Sequence, residues 1–276
     1  MPIELPPGTA SYRNDRNPEP KKRQILLVVG LIAAAIAFAF WLFGALVNGL
    51  VWIIPPSVER QLGTFTVPVF EQMAEPSATQ DSLNQLLDRL EVNLPPEQRQ
   101  QHDYQVLYIP DATVNAIAIP GDRVVIYKGL LTQTESENEL MMVLGHELGH
   151  FANRDHLRRL SRGLLLQLMI AVFFGDTGGL QDVAISGVTS LSNAQFSQGQ
   201  ELQADEFGLN LLQQTYGHVA GATDFFERLS QQEGANIDFL ATHPNSRKRV
   251  QRLERAIAEG YDLGERSPLP APLADL

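Results

Sequence analysis

Two histidines and one glutamate stand close together in the run Gly145-His146-Glu147-Leu148-Gly149-His150. The apolar residues around them recur at steps of three and four, which predicts a helix over residues 139–153. On a helix, positions four apart lie one above the other, so His146 and His150 can offer their imidazoles to one metal ion. Glu147 can then reach a water on that metal without binding the metal itself. This spacing predicts metal-assisted hydrolysis of a peptide bond, with Glu147 as the base.

Histidine and glutamate are also common on the solvated faces of helices, so the same spacing can arise by chance. Here the segment is otherwise apolar, and Gly145 and Gly149 thin out one face at a cost of about 1 kcal/mol each relative to alanine. A solvated face does not need such thinning, whereas a second element that packs closely does. Thr134 and Glu137 are predicted to form a capping box at the start of the helix. The pattern therefore favours a buried metal site.

A catalytic zinc ion needs three protein ligands and one open position, so a third ligand must come from elsewhere in the chain. Glu201 and Asp205 are four apart and share a helical face, so Glu201 can bind the metal while Asp205 hydrogen-bonds a ligand histidine. His156 is the alternative, because it stands six residues after His150, but that route needs the chain to turn at Asn153. Glu201 is favoured, and His156 is then expected to be exposed.

The composition narrows the class of partner. The 276 residues include 32 acidic and 21 basic side chains, for a net charge of -11, which argues against nucleic acid. There are no cysteines, so disulfides and thiolate metal sites are excluded.

An apolar segment at residues 25–54 contains no charged side chain and exceeds the about 20 residues that cross a bilayer. A cleaved signal peptide has a shorter apolar region and a small-residue cleavage site, so a retained single-pass anchor is the better interpretation. Basic residues at 21–23 predict a cytoplasmic N-terminus, with the body on the extracytoplasmic, or periplasmic, side. A disordered cytoplasmic leader is predicted at 1–24 and a disordered tail at 263–276.

Three short strands are predicted before the histidine helix, at residues 104–109, 113–119 and 124–127. They are expected to form an antiparallel sheet whose edge could bind an extended peptide at Asn115 and Ala116, although most sheet edges face water. The other predicted elements are an apolar core helix at 164–174, a loop at 175–187, and helices at 81–90, 197–216 and 245–259. The predicted fold class is mainly α with a small antiparallel β-sheet (α+β).

Five blocks of the sequence together resemble the HtpX and CAAX-prenyl-endopeptidase family of gluzincin zinc metallopeptidases, which includes BepA-like and OMA-like members. Besides the histidine helix, the blocks are Asn115-Ala116-Ile117-Ala118, Gly129-Leu130-Leu131, Glu201 through Asp205, and Thr242-His243-Pro244 with Arg249. The resemblance covers residues 57–262 and implies a zincin-like metallopeptidase domain there, with one zinc ion, behind the transmembrane helix.

The resemblance also implies a role for each matching residue. The implied zinc ligands are His146, His150 and Glu201, with Glu147 as the base and Asp205 hydrogen-bonded behind a ligand histidine. His243 and Arg249 are implied to face the oxyanion, and the strand that starts at Asn115 and Ala116 to receive the substrate backbone.

The expected function is that of a membrane-anchored zinc endopeptidase whose polypeptide substrates are misfolded membrane or envelope proteins, as in quality control. The alternative is a membrane-tethered chaperone or assembly factor that holds zinc for structure. Glu147 argues against this alternative, because a structural zinc site has no need of a base.

Overall fold

The computed structural model describes residues 21–160, 195–232, 237–244 and 247–276. The predicted core helix at 164–174 and the loop at 175–187 lie outside the described residues, as do positions 1–20 of the predicted leader. By packing, the chain divides into two units, Met1–Gly49 and Leu50–Leu276.

The described ranges contain helices α1 (Lys22–Ile53), α2 (Pro56–Glu71), α3 (Ala78–Glu91), α4 (Pro96–Gln101), α5 (Lys128–Leu131), α6 (Glu137–Ala152), α7 (Asp155–Arg159), α8 (Gln198–Tyr216), α9 (Asp224–Gln231), α10 (Asp238–Thr242), α11 (Arg247–Gly260) and α12 (Ala271–Ala274). The strands are β1 (Gln105–Ile109), β2 (Ala116–Ile119) and β3 (Arg123–Tyr127). A mostly helical chain with one small sheet agrees with the predicted α+β class.

Helix α1 coincides with the apolar segment that predicted the anchor. Among the described helices it is the one long and apolar enough to cross a membrane, judged by length and composition. Its large apolar side chains, such as Leu26, Leu31 and Trp41, are exposed. Exposed apolar surface of this extent marks a helix that needs an apolar partner, and lipid is one such partner.

The three strands form one mixed sheet in the order β1-β3-β2. Strand β2 runs antiparallel to β3, with Ala116 opposite Ile126, whereas β1 runs parallel to β3, with Gln105 opposite Arg123. The predicted wholly antiparallel sheet is therefore wrong for β1. Short apolar runs predict that strands exist, but they do not determine which strands pair or in which direction.

Burial on both faces of the sheet explains why a parallel strand is tolerated here. Val106 and Tyr108 of β1 join the larger core cluster with α3, α6 and α8. Leu107 and Ile109 point to the opposite face and pack in a second cluster with α2 and α7. Parallel strands are usually covered on both faces, as β1 is.

The N-cap of helix α6 lies two residues after the predicted one, Thr134. Ser136 is the N-cap, and its side chain accepts a hydrogen bond from the backbone N–H of Glu139. The hydroxyl of Thr134 instead donates to the carbonyl of Leu131, which closes the preceding turn. The predicted capping box of Thr134 with Glu137 was wrong. Thr134 and Ser136 can both cap a helix, and only tertiary contacts determine which of them does.

The C-terminal segment packs against the domain, so the predicted disordered tail is also wrong. Leu273 in α12 is 2% exposed and belongs to the larger core cluster. The backbone carbonyl of Pro272 accepts a hydrogen bond from the Thr79 hydroxyl, and the backbone N–H of Ser267 donates to Asn138 Oδ1 at 2.7 Å. Prolines pre-set an extended backbone and lower the entropy cost of ordering it, so a proline-rich composition did not exclude docking.

Candidate active site

Helix α6 presents three polar side chains to the protein interior. His146, Glu147 and His150 have no exposed surface. The two imidazoles stand one helical turn apart, and their Nε2 atoms are 3.1 Å from each other. The spacing that predicted one shared position for the two rings therefore agrees with their geometry.

Helix α8 brings two carboxylates to these histidines. A capping box at Ser197 starts the helix, so that Glu201 falls in its first turn. The oxygens of Glu201 lie 3.6 Å from His146 Nε2 and 3.5 Å from His150 Nε2. One turn further along, Asp205 accepts a hydrogen bond from His146 Nδ1 at 2.9 Å. The two carboxylates thus meet the histidines from different sides.

A third histidine, His243, completes the group from the end of α10. Its Nδ1 lies 3.2 Å from Glu201 Oε1 and 3.3 Å from His146 Nε2, and its ring stacks on Phe239. One ligand atom from each of His146, His150, Glu201 and His243 lies within 4.8 Å of the others. These four side chains could hold a metal ion, one more than the three ligands proposed from the sequence.

Arg249 of α11 directs its guanidinium at the two carboxylates of α8. Its Nε and Nη2 donate to Asp205 at 2.5 and 2.7 Å, and its Nη1 donates to Glu201. Its guanidinium also stands over the Phe226 ring. These contacts place Arg249 behind the candidate ligands. The oxyanion role implied by the resemblance stays a prediction.

Asp155 takes part in the site and was missed from the sequence. Its Oδ2 accepts a hydrogen bond from His150 Nδ1 at 3.1 Å, and its other oxygen accepts from Arg158 and from the Gln200 side chain. The backbone makes this possible at Arg154, whose φ of 57° turns the chain out of α6 and into α7. The sequence signal that could have identified Asp155 is an acidic residue shortly after the end of the histidine helix.

His156 is buried, although the sequence analysis expected it to be exposed. It has no exposed surface, and its Nε2 lies 2.5 Å from Glu59 Oε1 on α2. The structure places Glu201, and not His156, beside the two histidines of α6. The expectation failed because the basic neighbours of His156 suggested a solvated turn, whereas a buried carboxylate far away in sequence faces it.

Strand β2 forms the wall of the site on the other side of α6. The Asn115 side-chain oxygen accepts hydrogen bonds from the Ala116 N–H at 2.9 Å and from the Thr242 hydroxyl at 3.3 Å. The Ala118 N–H donates to Glu147 Oε2 at 3.0 Å. Because β2 is an edge strand, the outward amide of Ala118 is satisfied by the candidate base instead of by another strand.

The carboxylates give the site a strong negative potential. Burial alone would raise the pKa values of Glu201 and Asp205, but Arg249 holds both pKa values below their usual range. Burial alone would lower the pKa of His150, but its carboxylate partners raise that pKa to about 9. Burial lowers the pKa of His243 to about 4. The site therefore attracts a cation between its carboxylates, either a proton on His150 or a metal ion.

The hydrogen bonds behind the two histidines test whether a metal fits. Carboxylates accept, so the Nδ1 atoms of His146 and His150 must donate to Asp205 and Asp155. In the neutral rings, both Nε2 atoms then carry lone pairs, which face each other across 3.1 Å. Two lone pairs at that distance are stable only with a cation between them. The residues present therefore fit a zinc ion held by imidazole and carboxylate.

Two polar atoms next to this group have no hydrogen-bond partner among the described residues. They are Glu147 Oε1 and His243 Nε2, which lie 3.6 Å apart in the buried site. Buried polar atoms in native proteins are almost always satisfied, by protein or by water. This pair therefore marks the place where a reacting water or a substrate group would bind.

Comparison with known proteins adds independent information. The model of peptidase family M48 matches residues 77–257. The chain is 32% identical over 165 residues to the metalloprotease LoiP of Escherichia coli, covering 57% of this chain and 64% of LoiP. It is 30% identical over 157 residues to the mitochondrial metalloendopeptidase OMA1 of Arabidopsis thaliana, covering 55% of this chain and 31% of OMA1.

A third relative is the beta-barrel assembly-enhancing protease of Yersinia pestis. It is 28% identical over 208 residues, covering 67% of this chain and 41% of the relative. The chain thus spans between 31% and 64% of the length of these three relatives. The family expected from the sequence motifs is confirmed by these matches.

Proposed function

Because this chain belongs to peptidase family M48, we propose that it is a zinc-dependent endopeptidase anchored in a membrane by α1. The observation that carries the proposal is the convergence of His146, His150 and Glu201 beside Glu147, one oxygen of which has no hydrogen-bond partner in the described part of the chain. In this proposal the zincin-like peptidase domain extends over residues 57–262, and the C-terminal segment packs against it.

His146, His150 and Glu201 would hold one zinc ion at this site. Two imidazoles and one carboxylate are a known donor set of catalytic zinc, which keeps one position open. When bound, zinc lowers the pKa of a coordinated water to about 7 and polarises the substrate carbonyl. The side chains of the protein supply the remaining functions.

Glu147 is the proposed general base. Its Oε2 is fixed by the Ala118 N–H, which leaves Oε1 free to take a proton from the attacking water. The same oxygen then delivers that proton to the departing amine. Glu147 lies between two histidines of the same helix, so its carboxylate stays near the reacting atoms without serving as a ligand.

Three charged residues are proposed to position the ligands. Asp205 and Asp155 hold the two α6 histidines by their Nδ1 atoms, which fixes the tautomer and the ring orientation. Arg249 bridges Asp205 and Glu201 and offsets the repulsion between their charges. These hydrogen bonds support a positioning role for Arg249, beside the oxyanion role that the resemblance implies.

The substrate is proposed to bind as an added strand along β2. This strand lies at the sheet edge, and the Asn115 side chain holds the backbone at Ala116 in place. His243 is proposed to donate a hydrogen bond from Nε2, which faces Glu147 and has no partner among the described residues, to the tetrahedral oxyanion. This requires the neutral tautomer that carries its proton on Nε2, so that the Nδ1 atom facing Glu201 is unprotonated and free to face a cation. Loss of such a donor typically lowers the rate about 10²- to 10³-fold.

The proposed location is a membrane, with the N-terminus in the cytoplasm and the peptidase domain on the periplasmic side. Lys21, Lys22 and Arg23 at the start of α1 support this orientation. Misfolded membrane or envelope proteins are the proposed substrates, in line with a relative named for enhancing beta-barrel assembly. Protease added to intact spheroplasts should digest the domain; full protection would contradict the orientation.

Glu147→Gln in the full chain, kept in detergent, tests the hydrolase function. It removes the base but preserves size and hydrogen bonding to Ala118, so cleavage of an unfolded protein should fall by at least about 100-fold. Bound zinc should equal that of the parent. The matched control is Glu135→Gln, an exposed carboxylate just before α6. Cleavage by Glu147→Gln at the rate of the parent would reject Glu147 as the base. If neither protein cleaved the substrate and both kept it from aggregating equally well, a zinc-containing chaperone would be favoured instead.

A further inference from the structure

A second group of metal-ligating side chains lies outside the candidate active site. Glu59 of α2, His102 after α4 and Asp122 in the turn between β2 and β3 each offer one ligand atom, and these atoms lie within 4.8 Å of one another. Glu59 and Asp122 are buried, with 1% and 3% of their surface exposed. Side chains from three segments far apart in sequence therefore converge on one point.

His156 of α7 contacts this group through Glu59, although it is not among the three residues whose ligand atoms converge. Its Nε2 lies 2.5 Å from Glu59 Oε1, and the residue has no exposed surface. Its Nδ1 has no hydrogen-bond partner among the described residues. His156 can therefore hold the Glu59 carboxylate in place by a direct hydrogen bond, as a residue behind a metal ligand does.

Each of the two carboxylates has one imidazole partner within the protein, and Glu59 also has Arg154. His102 Nδ1 lies 2.7 Å from Asp122 Oδ1, and Arg154 reaches Glu59 at 3.4 Å. The closer contacts of Arg154 are to the carbonyls of Val51 and Ile54, at 2.7 and 2.6 Å. Two buried carboxylates less than 5 Å apart repel each other strongly at low dielectric, and a divalent cation between them removes that repulsion.

We propose that Glu59, His102 and Asp122 form a second metal site, which binds zinc in addition to the ion of the active site, with His156 holding the Glu59 carboxylate in place. One imidazole and two carboxylates are a donor set that zinc accepts, with water in the remaining position. The ion can enter from solvent, because Asp122 lines a cavity of about 450 Å³ between α2 and the β2–β3 turn.

The second site is built into the support of the active site. Asp155 and His156 are neighbours on α7, but Asp155 bonds the candidate ligand His150 whereas His156 bonds Glu59. An ion at the second site would tie α2, the β2–β3 turn and α7 together. It would also hold Asp122 in its left-handed conformation, with φ of 59°, which is unfavourable for a residue other than glycine. The expected consequence is added stability, not a second reaction.

The test is the metal content of the full chain in detergent. The protein is stripped with a chelator, equilibrated with a small excess of zinc, desalted and analysed by mass spectrometry for zinc per chain. We expect two ions in the parent, one in His102→Ala, one in His146→Ala and none in the double variant. His218→Ala is the matched control, because His218 belongs to neither group, and it should retain two ions. A single ion in both the parent and His102→Ala would overturn the proposal.

A second, more conservative variant tests the site even if His102→Ala fails to fold. Asp122→Asn keeps a side chain that tolerates the left-handed conformation and can still bond His102, but it removes the ligand charge. The second equivalent of zinc should raise the unfolding midpoint of the parent by about 5–10 °C and leave that of Asp122→Asn unchanged. Equal shifts in both proteins would overturn the second site. Peptidase activity enters neither measurement, so failure of the second site is distinct from failure of the proposed function.

Discussion

Gly149 of α6 lies against Ala204 of α8 so closely that a Cβ on the glycine would sit 2.7 Å from the Ala204 Cα. One turn away, a Cβ on Gly145 would sit 3.0 Å from the Cα of Gly208. The two helices therefore run antiparallel in near backbone contact. This contact sets the distance at which Glu201 meets His146, and it confirms the close approach that the two glycines of α6 predicted.

Gly149→Ala is expected to separate the two helices and to weaken zinc binding. Its Cβ would meet backbone atoms that cannot yield, and such overpacking costs about 1–3 kcal/mol, which exceeds the about 1 kcal/mol gained in helix propensity. Thermal unfolding and zinc titration of the purified chain measure both effects. Gly199→Ala is the control. This glycine is also helical, in α8, but a Cβ on it would meet no described atom within 4 Å, so the change should be neutral or slightly stabilising. Unchanged zinc affinity in Gly149→Ala would contradict the role of this contact.

Asp155→Ala is expected to lower the zinc affinity of the active site by about 10- to 100-fold, since His150 would lose the partner that fixes its ring. The change is best measured in the His102→Ala background by competition with a chelating dye, so that only the active-site ion is counted. Asp88→Ala, an exposed carboxylate on α3, is the control and should leave the affinity unchanged. Equal affinities in all three proteins would show that Asp155 does not position His150.

Glu91→Gln is expected to stabilise the protein at pH 8 but not at pH 4. Burial raises the pKa of Glu91 from 4.5 to about 7, although the Tyr104 N–H bond opposes this shift. The folded state therefore retains a proton that the unfolded state loses, and stability falls as pH rises from 4.5 to 7. Glutamine keeps the acceptor for Tyr104 and cannot ionise. Because Glu91 is only partly buried, the gain should be about 1–2 kcal/mol.

The measurement for Glu91→Gln is the free energy of unfolding by denaturant, taken relative to the parent at each pH. The control is Glu97→Gln on α4, where the carboxylate is exposed. A gain of the same size at pH 4 and pH 8 would mean that ionisation of Glu91 is not its cause.

Leu273→Ala tests whether the C-terminal segment is part of the domain. Leu273 is 2% exposed, and removal of a buried leucine side chain costs about 2–5 kcal/mol. Leu263→Ala makes the same chemical change at a residue that is 76% exposed, so it should cost almost nothing. If both variants unfolded at the midpoint of the parent, the docked tail would be wrong. A lower midpoint for Leu273→Ala alone would support it.

The sequence alone determined the local parts of this protein. The positions of His146, Glu147 and His150 on one helix follow from a periodicity that nearby residues impose, and the apolar length of α1 follows from composition. Glu201 with Asp205 was found in the same way, because four-residue spacing on a helix is a local property. The observed helices α3, α8 and α11 accordingly lie close to their predicted ranges.

Only the tertiary structure decided which distant groups meet. The parallel pairing of β1 with β3, the carboxylate that buries His156, the bond from Asp155 to His150 and the docking of Leu273 all join segments that local patterns treat separately. Each depends on the free energy of a contact between distant segments. Several other contacts are equally compatible with the local sequence, so local patterns cannot select among them. A sequence records the preferences of each segment, but the partner that satisfies a buried charge or an apolar face exists only once the chain has packed.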